Sequence, residues 1–416
     1  MYFGCALVAP TIGKAAAGVL LLVGLCGLCR FKKQHYVLLQ AERWLLFSFA
    51  LFSVVSIISF FYWPQSRESR LHLEDYVTFI MLLPLYLLLR QFKFNFVALL
   101  ILLALVAMLL GVVSITQYMA MKYFQLDIFD YRSNWLKKLR PSAGVNPMRY
   151  AAISLTLAVF PLIAMLVIRN KTYICKVLLV LASLLGFVAC FLTQSRGALL
   201  SMPVLACVFG IYLLRAGHPR FLLILIAGSV AILGLASKQE RVQGTFDSYD
   251  RYIQGDSKSA LGARFDMFKA AGILIRQNPI FGHGLNSYSP KATKIRKDTP
   301  GMSREVGRWA NPHNEILLVM VEKGFIGLIT LLLLFAAPGY FFIRALHEAG
   351  DSVIGQQIRF YAMSGVSLLI IYAVAGQSVA LFEHDVFNHF FALVVLLFAS
   401  QIRVAGYMEQ RAVGEG

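Results

Sequence analysis

Charge is scarce in this chain, and acidic charge scarcer still: 21 Asp and Glu stand against 39 Lys and Arg in 416 residues, and charged residues make up only 14% of the total. With 58% hydrophobic residues and a mean hydropathy of +0.68, that poverty excludes an ordinary soluble domain, which needs a polar surface to face water. Internal repeats and low-complexity tracts are absent. The six cysteines, Cys5, Cys26, Cys29, Cys175, Cys190 and Cys207, all fall in apolar stretches and read as small packing residues. Cys26 and Cys29 form a C-x-x-C with no histidine or acidic neighbour, so a metal site there is not expected. The N-terminal stretch has no basic leader and no convincing small-x-small cleavage site, so no cleavable signal peptide is expected. The formal charge of +18 is spread over short loops rather than gathered in a basic domain, which argues against nucleic acid and for membrane lipids and anion handling.

What is present is a series of apolar runs of the length a bilayer demands of a helix. Spans are predicted near 42–62, 73–89, 94–118, 147–168, 177–193, 197–214, 220–236, 314–343, 357–376 and 386–402. Residues 4–29 read either as one span or as a hairpin broken around Pro10, Gly13 and Lys14. The expected fold is therefore an all-α polytopic membrane protein of about twelve transmembrane helices, or eleven. Basic residues such as Arg43, Arg90, Lys93, Arg169, Lys171, Arg344, Arg359 and Arg403 accumulate on the loops of one side, which is therefore cytoplasmic. The short connections of the other side carry Lys14, Arg67, Arg70 and Arg196. The organisation expected is N-terminal transmembrane helices over 1–236, a large external segment at 237–312, and C-terminal transmembrane helices over 313–416.

Two segments are too polar to span, and both fall on the external side. The first, 119–146, carries aromatic residues suited to the bilayer surface together with Lys122, Arg132, Lys137, Lys138 and Arg140. In the second, 237–312, Ser259 can cap a helix running to about Asn278, with Phe265, Phe268, Ala271, Gly272 and Ile275 as one apolar face. Gly282-His283-Gly284 then makes a flexible turn. The segment closes on Asn311-Pro312-His313-Asn314-Glu315, where Asn311 reads as an N-cap and Pro312 as the first helical residue. That puts His313 in the first turn of a helix, whose dipole disfavours an imidazolium and favours a neutral general base.

Three arginines stand where helices meet the external side. Arg196 lies in the short turn between two spans, Arg264 opens the extramembrane helix, and Arg149 follows Asn146-Pro147. A guanidinium matches phosphate oxygens bidentately and stays charged at any working pH, so these arginines beside His313 describe an anion cradle next to a base. The external carboxylates, Asp127 and Asp130, Asp247 and Asp250, Glu383 and Asp385, include no D-x-D, and a metal-free site without cofactors is expected. Asn311, Asn314 and Glu315 are candidates to orient the imidazole or the acceptor. Glu322 and Lys323 are ionisable yet lie two to three turns into a span, and read as an internal pair or as a break near Gly324.

The runs Arg264-Phe265-Asp266-Met267-Phe268, Asn278-Pro279-Ile280-Phe281-Gly282-His283-Gly284-Leu285-Asn286, Pro312-His313-Asn314-Glu315 and Glu322-Lys323-Gly324-Phe325-Ile326-Gly327 resemble the signature of the O-antigen ligase and Wzy-type polymerase superfamily. Ser195-Arg196-Gly197-Ala198 is similar to that family's arginine between consecutive spans, while His283 replaces a residue that is usually small and apolar. The resemblance implies a bacterial inner-membrane glycosyltransferase with a periplasmic active site. Its donor would be a glycan on undecaprenyl diphosphate and, for a ligase, its acceptor a sugar hydroxyl of lipid A-core. It further implies that His313 is the essential histidine and that Arg196 and Arg264 are essential arginines. A polymerase or a protein O-oligosaccharyltransferase would share these features. A lipid-linked glycan transporter would instead place its ionisable residues near mid-span.

Overall fold

The computed structural model describes residues 38–62, 67–126, 128, 139–169, 171–215, 252–254 and 259–414, with scattered positions between 223 and 234. Among these every regular element is a helix: α1 Gln40–Tyr62, α2 Arg67–Met81, α3 Leu83–Leu89, α4 Phe96–Phe124, α5 Pro147–Val167, α6 Tyr173–Leu192, α7 Arg196–Arg215, α8 Ala260–Gln277, α9 Tyr288–Asp298, α10 Glu315–Glu348, α11 Val353–Ala375 and α12 Asp385–Gly414. Eight of the described helices (α1, α4, α5, α6, α7, α10, α11 and α12) are long and apolar enough to cross a bilayer, so the chain is a multi-pass membrane protein. The expected stretch 4–29, most of 220–236, and most of the basic positions of 119–146 lie outside the described residues.

The span expected at 73–89 is not one helix. Pro84 has no N–H to give Ile80, the ladder is interrupted at Leu82, and Leu85 N bonds the Leu82 carbonyl at 3.1 Å instead. The expected loop 119–146 begins later than predicted, because α4 runs on to Phe124 and ends on Gln125 in the left-handed conformation. Arg140, expected among the exposed basic residues of that loop, is buried, and its Nε donates to the Thr193 carbonyl at 2.7 Å.

The main core runs through α1, α5, α11 and α12, with Phe52, Phe79, Phe335, Tyr372 and Phe391 packed around Phe382. Phe382 belongs to residues 376–384, an irregular segment between α11 and α12 that turns inward. A second, smaller core joins α8 and α9 to the start of α10 through Met267, Ala270, Ala271, Leu274, Tyr288, Leu318 and Val321. Ser259 Oγ accepts from Gly262 N at 3.0 Å and caps α8 as the sequence suggests. The buried face of α8 is Ala263, Met267, Ala270, Ala271 and Leu274, which shares only Ala271 with the predicted one. Phe265, Phe268 and Ile275 flank it half-buried, and a Cβ at Gly272 would meet nothing within 4 Å. The small alanines allow close approach to α10, which simple counting of large apolar residues does not register.

The two cores are locked together at a break in α10. Gly324 has φ +62° and ψ −156°, which splits α10 and would orphan the Val321 and Glu322 carbonyls together with the Phe325 and Ile326 amides. Residues 279–284 replace both lost bonds. His283 N donates to Val321 O at 2.7 Å and Gly284 N to Glu322 O at 2.9 Å, while Phe325 N donates to Pro279 O at 2.8 Å and Ile326 N to Ile280 O at 3.3 Å. Ser59 Oγ of α1 adds a bond to the Glu322 carbonyl at 2.9 Å. A broken membrane helix persists only where its freed backbone groups are satisfied in this way. His283 completes the joint by donating its Nε2–H to Leu274 O at 2.8 Å.

Gly282, at φ +71°, fits against α10 so closely that a Cβ would overlap the backbone of Glu322, Lys323 and Gly324. Gly282→Ala should therefore lower stability by about 2–5 kcal/mol from overlap and left-handed strain combined, read as a fall in thermal midpoint in detergent. Gly272→Ala, in open space, should leave the midpoint unchanged or raise it. Equal midpoints for the two variants would show that the joint does not hold the cores together.

Candidate active site

His313 lies before α10, not in its first turn. Asn314 is the N-cap, its Oδ1 accepting from Leu317 N at 3.0 Å, and the helix begins at Glu315. The expected cap, Asn311, does something else. Its Oδ1 accepts from His313 N at 2.8 Å in a tight Asx turn, and His313 itself takes φ +57°. Asn and Asp outrank other residues both as caps and in Asx turns, so a sequence with asparagine at 311 and at 314 does not say which of them starts the helix.

The same Asn311 side chain reaches a second partner. Its Nδ2 donates to Glu383 Oε2, which also receives Arg149 Nη2 at 3.0 Å. Arg149 Nε bonds the Ala380 carbonyl at 3.0 Å. One carboxylate thus ties the turn that sets His313 to the arginine at the start of α5, where Asn146 caps Met148 N and Pro147 opens the helix. Arg264 Nη2 reaches the Ser378 carbonyl at 3.4 Å and the Met148 sulfur at 3.9 Å. Arg196 opens α7, and its neighbour Gly197 is pressed on Ser378 so that a Cβ there would overlap the Ser378 Oγ. Arg149 and Arg264 contact residues 376–384 directly and Arg196 lies next to Gly197, which is pressed on that segment; the Arg264 and Arg149 charges act on His313.

The imidazole is half-buried, with Nδ1 enclosed and without a hydrogen-bond partner among the described residues. Its pKa is lowered from 6.5 to about 4, first by burial, then by the Arg264 and Arg149 charges, with Glu305 pulling the other way. Neutrality at physiological pH is expected from the helix dipole and the nearby arginines; the arginines do oppose the imidazolium, but burial leads and the ring lies outside the helix. Asn314 and Glu315 do not orient the ring. Asn314 Nδ2 donates to the Gln377 carbonyl and side chain at 3.3 Å each. Glu315 Oε2 accepts from Phe382 N at 3.0 Å, and Glu315 N donates to Gly376 O at 2.7 Å. Both residues hold the 376–384 segment.

Two residues escaped the sequence reading. Glu383 was noted only as half of a carboxylate pair, and its partners Asn311 and Arg149 are 72 and 234 positions away. Trp309 stacks tilted on His313, with ring centroids 5.8 Å apart, while its Nε1 donates to Glu305 Oε2 at 2.7 Å and its ring is 45% exposed. An exposed indole four residues before a candidate base is a signal that could have been read. Among the described residues no three of His, Cys, Asp and Glu stand close enough together to hold a metal ion.

Comparison with known proteins bears on this geometry. An uncharacterized protein of Haemophilus influenzae (strain ATCC 51907 / DSM 11121 / KW20 / Rd) is 23% identical over 357 residues, covering 83% of this chain and 84% of that protein. Residues 181–332 match the sequence model of the O-antigen ligase family. The matched stretch runs from α6 through Arg196, Arg264, the 279–284 joint and His313 to the middle of α10. Over that stretch the chain is similar to the O-antigen ligase family.

Proposed function

We propose that this protein is an O-antigen ligase: an inverting, metal-independent glycosyltransferase of the bacterial inner membrane. It would move a glycan from undecaprenyl diphosphate to a sugar hydroxyl of lipid A-core on the periplasmic side. The observation that carries the reading is the meeting of His313, kept neutral, with Arg264 and Arg149 within the segment that matches the ligase family and the α5 start beside it. In the proposed step the acceptor oxygen attacks the anomeric carbon and its proton passes to His313. The carbon–oxygen bond to the diphosphate breaks, and the diphosphate leaves with the electron pair against the arginines. With Nδ1 enclosed, Nε2 is the nitrogen that takes the proton. Trp309 gives the acceptor sugar a flat wall beside the base.

In this scheme Arg196 and Arg264 are the diphosphate clamps, as the family resemblance implies, and Arg149, paired with Glu383, sets the field around the imidazole. Complementation of a ligase-null bacterium tests the assignment. The expected result is lipopolysaccharide with core capped by long modal chains, and transfer by the purified protein that persists in excess EDTA. Rescue of a polymerase-null strain alone would move the assignment to the polymerase. Activity lost to chelator and restored by Mg²⁺ would end the arginine-clamp account.

A further inference from the structure

Behind residues 376–384, among the described residues, four buried polar atoms have no hydrogen-bond partner: Tyr76 Oη, Glu315 Oε1, Lys323 Nζ and Asn388 Oδ1. A cluster of this kind needs an explanation, because each such atom has lost water without a replacement. The centre of the cluster is Lys323, whose side chain is wholly enclosed. Its ammonium lies 3.8 Å from Glu322 Oε2, 3.5 Å from the centroid of the Tyr76 ring and 5.3 Å from that of Phe52. The aromatic faces supply part of what water would have given. The carboxylates of Glu315 and Glu383 act on the same ammonium after Glu322.

These carboxylates are not equivalent. Glu322 turns its other oxygen to Asn286 N at 2.7 Å, within the 279–284 joint and its continuation. Glu315 holds Phe382 N, and Glu383 holds Arg149 and Asn311. A buried cation is costly, and a stable core could replace the Lys323–Glu322 pair with apolar side chains. Two further carboxylates that clamp one catalytic segment give the cation a different use. We propose that Lys323 is a positioning residue, a single buried cation shared by Glu315 and Glu383 that keeps residues 376–384, and through them Arg149 and the Asn311 turn, in register with His313. The inference rests on the reading of His313 as the reacting base.

The test is a charge-compensated pair of substitutions. Lys323→Met alone leaves three carboxylates facing one another and should lower the thermal midpoint. Lys323→Met/Glu322→Gln removes one charge of each sign and should recover the midpoint. Transfer should nevertheless stay at least tenfold below wild type, with faster amide hydrogen exchange across 376–384, the Phe382 amide included, and unchanged exchange in α8. That exchange readout does not depend on which reaction the protein catalyses, so it separates failure of this inference from failure of the ligase reading. Glu322→Gln alone, which keeps an oxygen for Asn286 N, should fold and retain transfer within about threefold. Activity that returns together with stability in the double variant, or native exchange across 376–384, overturns the proposal. A folded Glu322→Gln protein with transfer reduced tenfold or more overturns it too, by showing that the lysine serves Glu322.

Discussion

Replacing His313 with asparagine is expected to reduce glycan transfer by roughly a hundredfold to ten-thousandfold, the usual cost of losing a general base. Donor binding should stay near the wild-type level. Asparagine is the informative substitution because it tolerates the left-handed backbone at φ +57° and leaves the amide that donates to Asn311 in place. The pH dependence follows from the lowered pKa. A base is active only when neutral, so the acid limb of kcat/KM, which reports the free enzyme, should fall near the His313 value of about 4 and the profile should be flat through neutrality. A bound diphosphate offsets Arg264 and Arg149, two of the causes that depress the pKa, so the acid limb of kcat should lie at higher pH than that of kcat/KM. The two limbs are measured by steady-state transfer from a lipid-linked donor at saturating and limiting concentrations. A kcat/KM limb at 6.5 or above would mean that burial and the arginines do not act on the reacting group. Donor binding lost in proportion to activity would make His313 a clamp or a support and end the base assignment.

How far the sequence could be read depended on whether the deciding contacts are local. Apolar runs announced α1, α4 through α7 and α10 through α12, because span length is set by the bilayer and needs no partner. Ser259 and Asn146-Pro147 were legible as helix starts for the same reason, since a cap acts on residues two or three positions away. Glu322-Lys323-Gly324 could be read as a pair or as a break, and the structure contains both. What could not be read is the use made of them. The break is stable because residues 279–284 supply its missing bonds, and the inward turn of 376–384 is stable because Glu315 and Glu383 hold it from elsewhere in the chain. The misplaced cap is a local failure of another kind: Asn311 and Asn314 are equally good caps, and only the tie from Asn311 to Glu383 commits the first of them to the turn at His313.

Arg264 and Arg149 should respond differently to substitution, although the sequence presents them as equivalent clamps. Arg149 sits in a fixed pair with Glu383, its side chain 12% exposed, and Glu383 is also bound to Asn311. Truncating Arg149 leaves a buried carboxylate without its cation, a change that typically costs about 3–5 kcal/mol. Arg149→Ala should therefore lower the thermal midpoint strongly, and lose activity largely through loss of folded protein. Arg264 makes longer contacts, to the Ser378 carbonyl at 3.4 Å and the Met148 sulfur at 3.9 Å, on a helix whose hold on α10 comes from Met267, Ala270, Ala271 and Leu274. Its removal should spare the fold. A preorganised charge facing the departing diphosphate is worth about 3 kcal/mol, so Arg264→Ala should lower transfer roughly a hundredfold with little change in midpoint. Arg264→Lys should recover only a small part, since an ammonium cannot offer the bidentate fork. Arg264→Ala should also raise the His313 pKa toward its ordinary value, because Arg264 is the stronger of the two charges opposing the imidazolium, and the acid limb of kcat/KM should move to higher pH; Arg264→Lys keeps the charge and should leave that limb nearly in place. The measurements are transfer rate, thermal midpoint and the pH profile on the same preparations. Full transfer by Arg264→Ala with an unmoved acid limb would place Arg264 away from the reacting atoms and end its assignment as a diphosphate clamp.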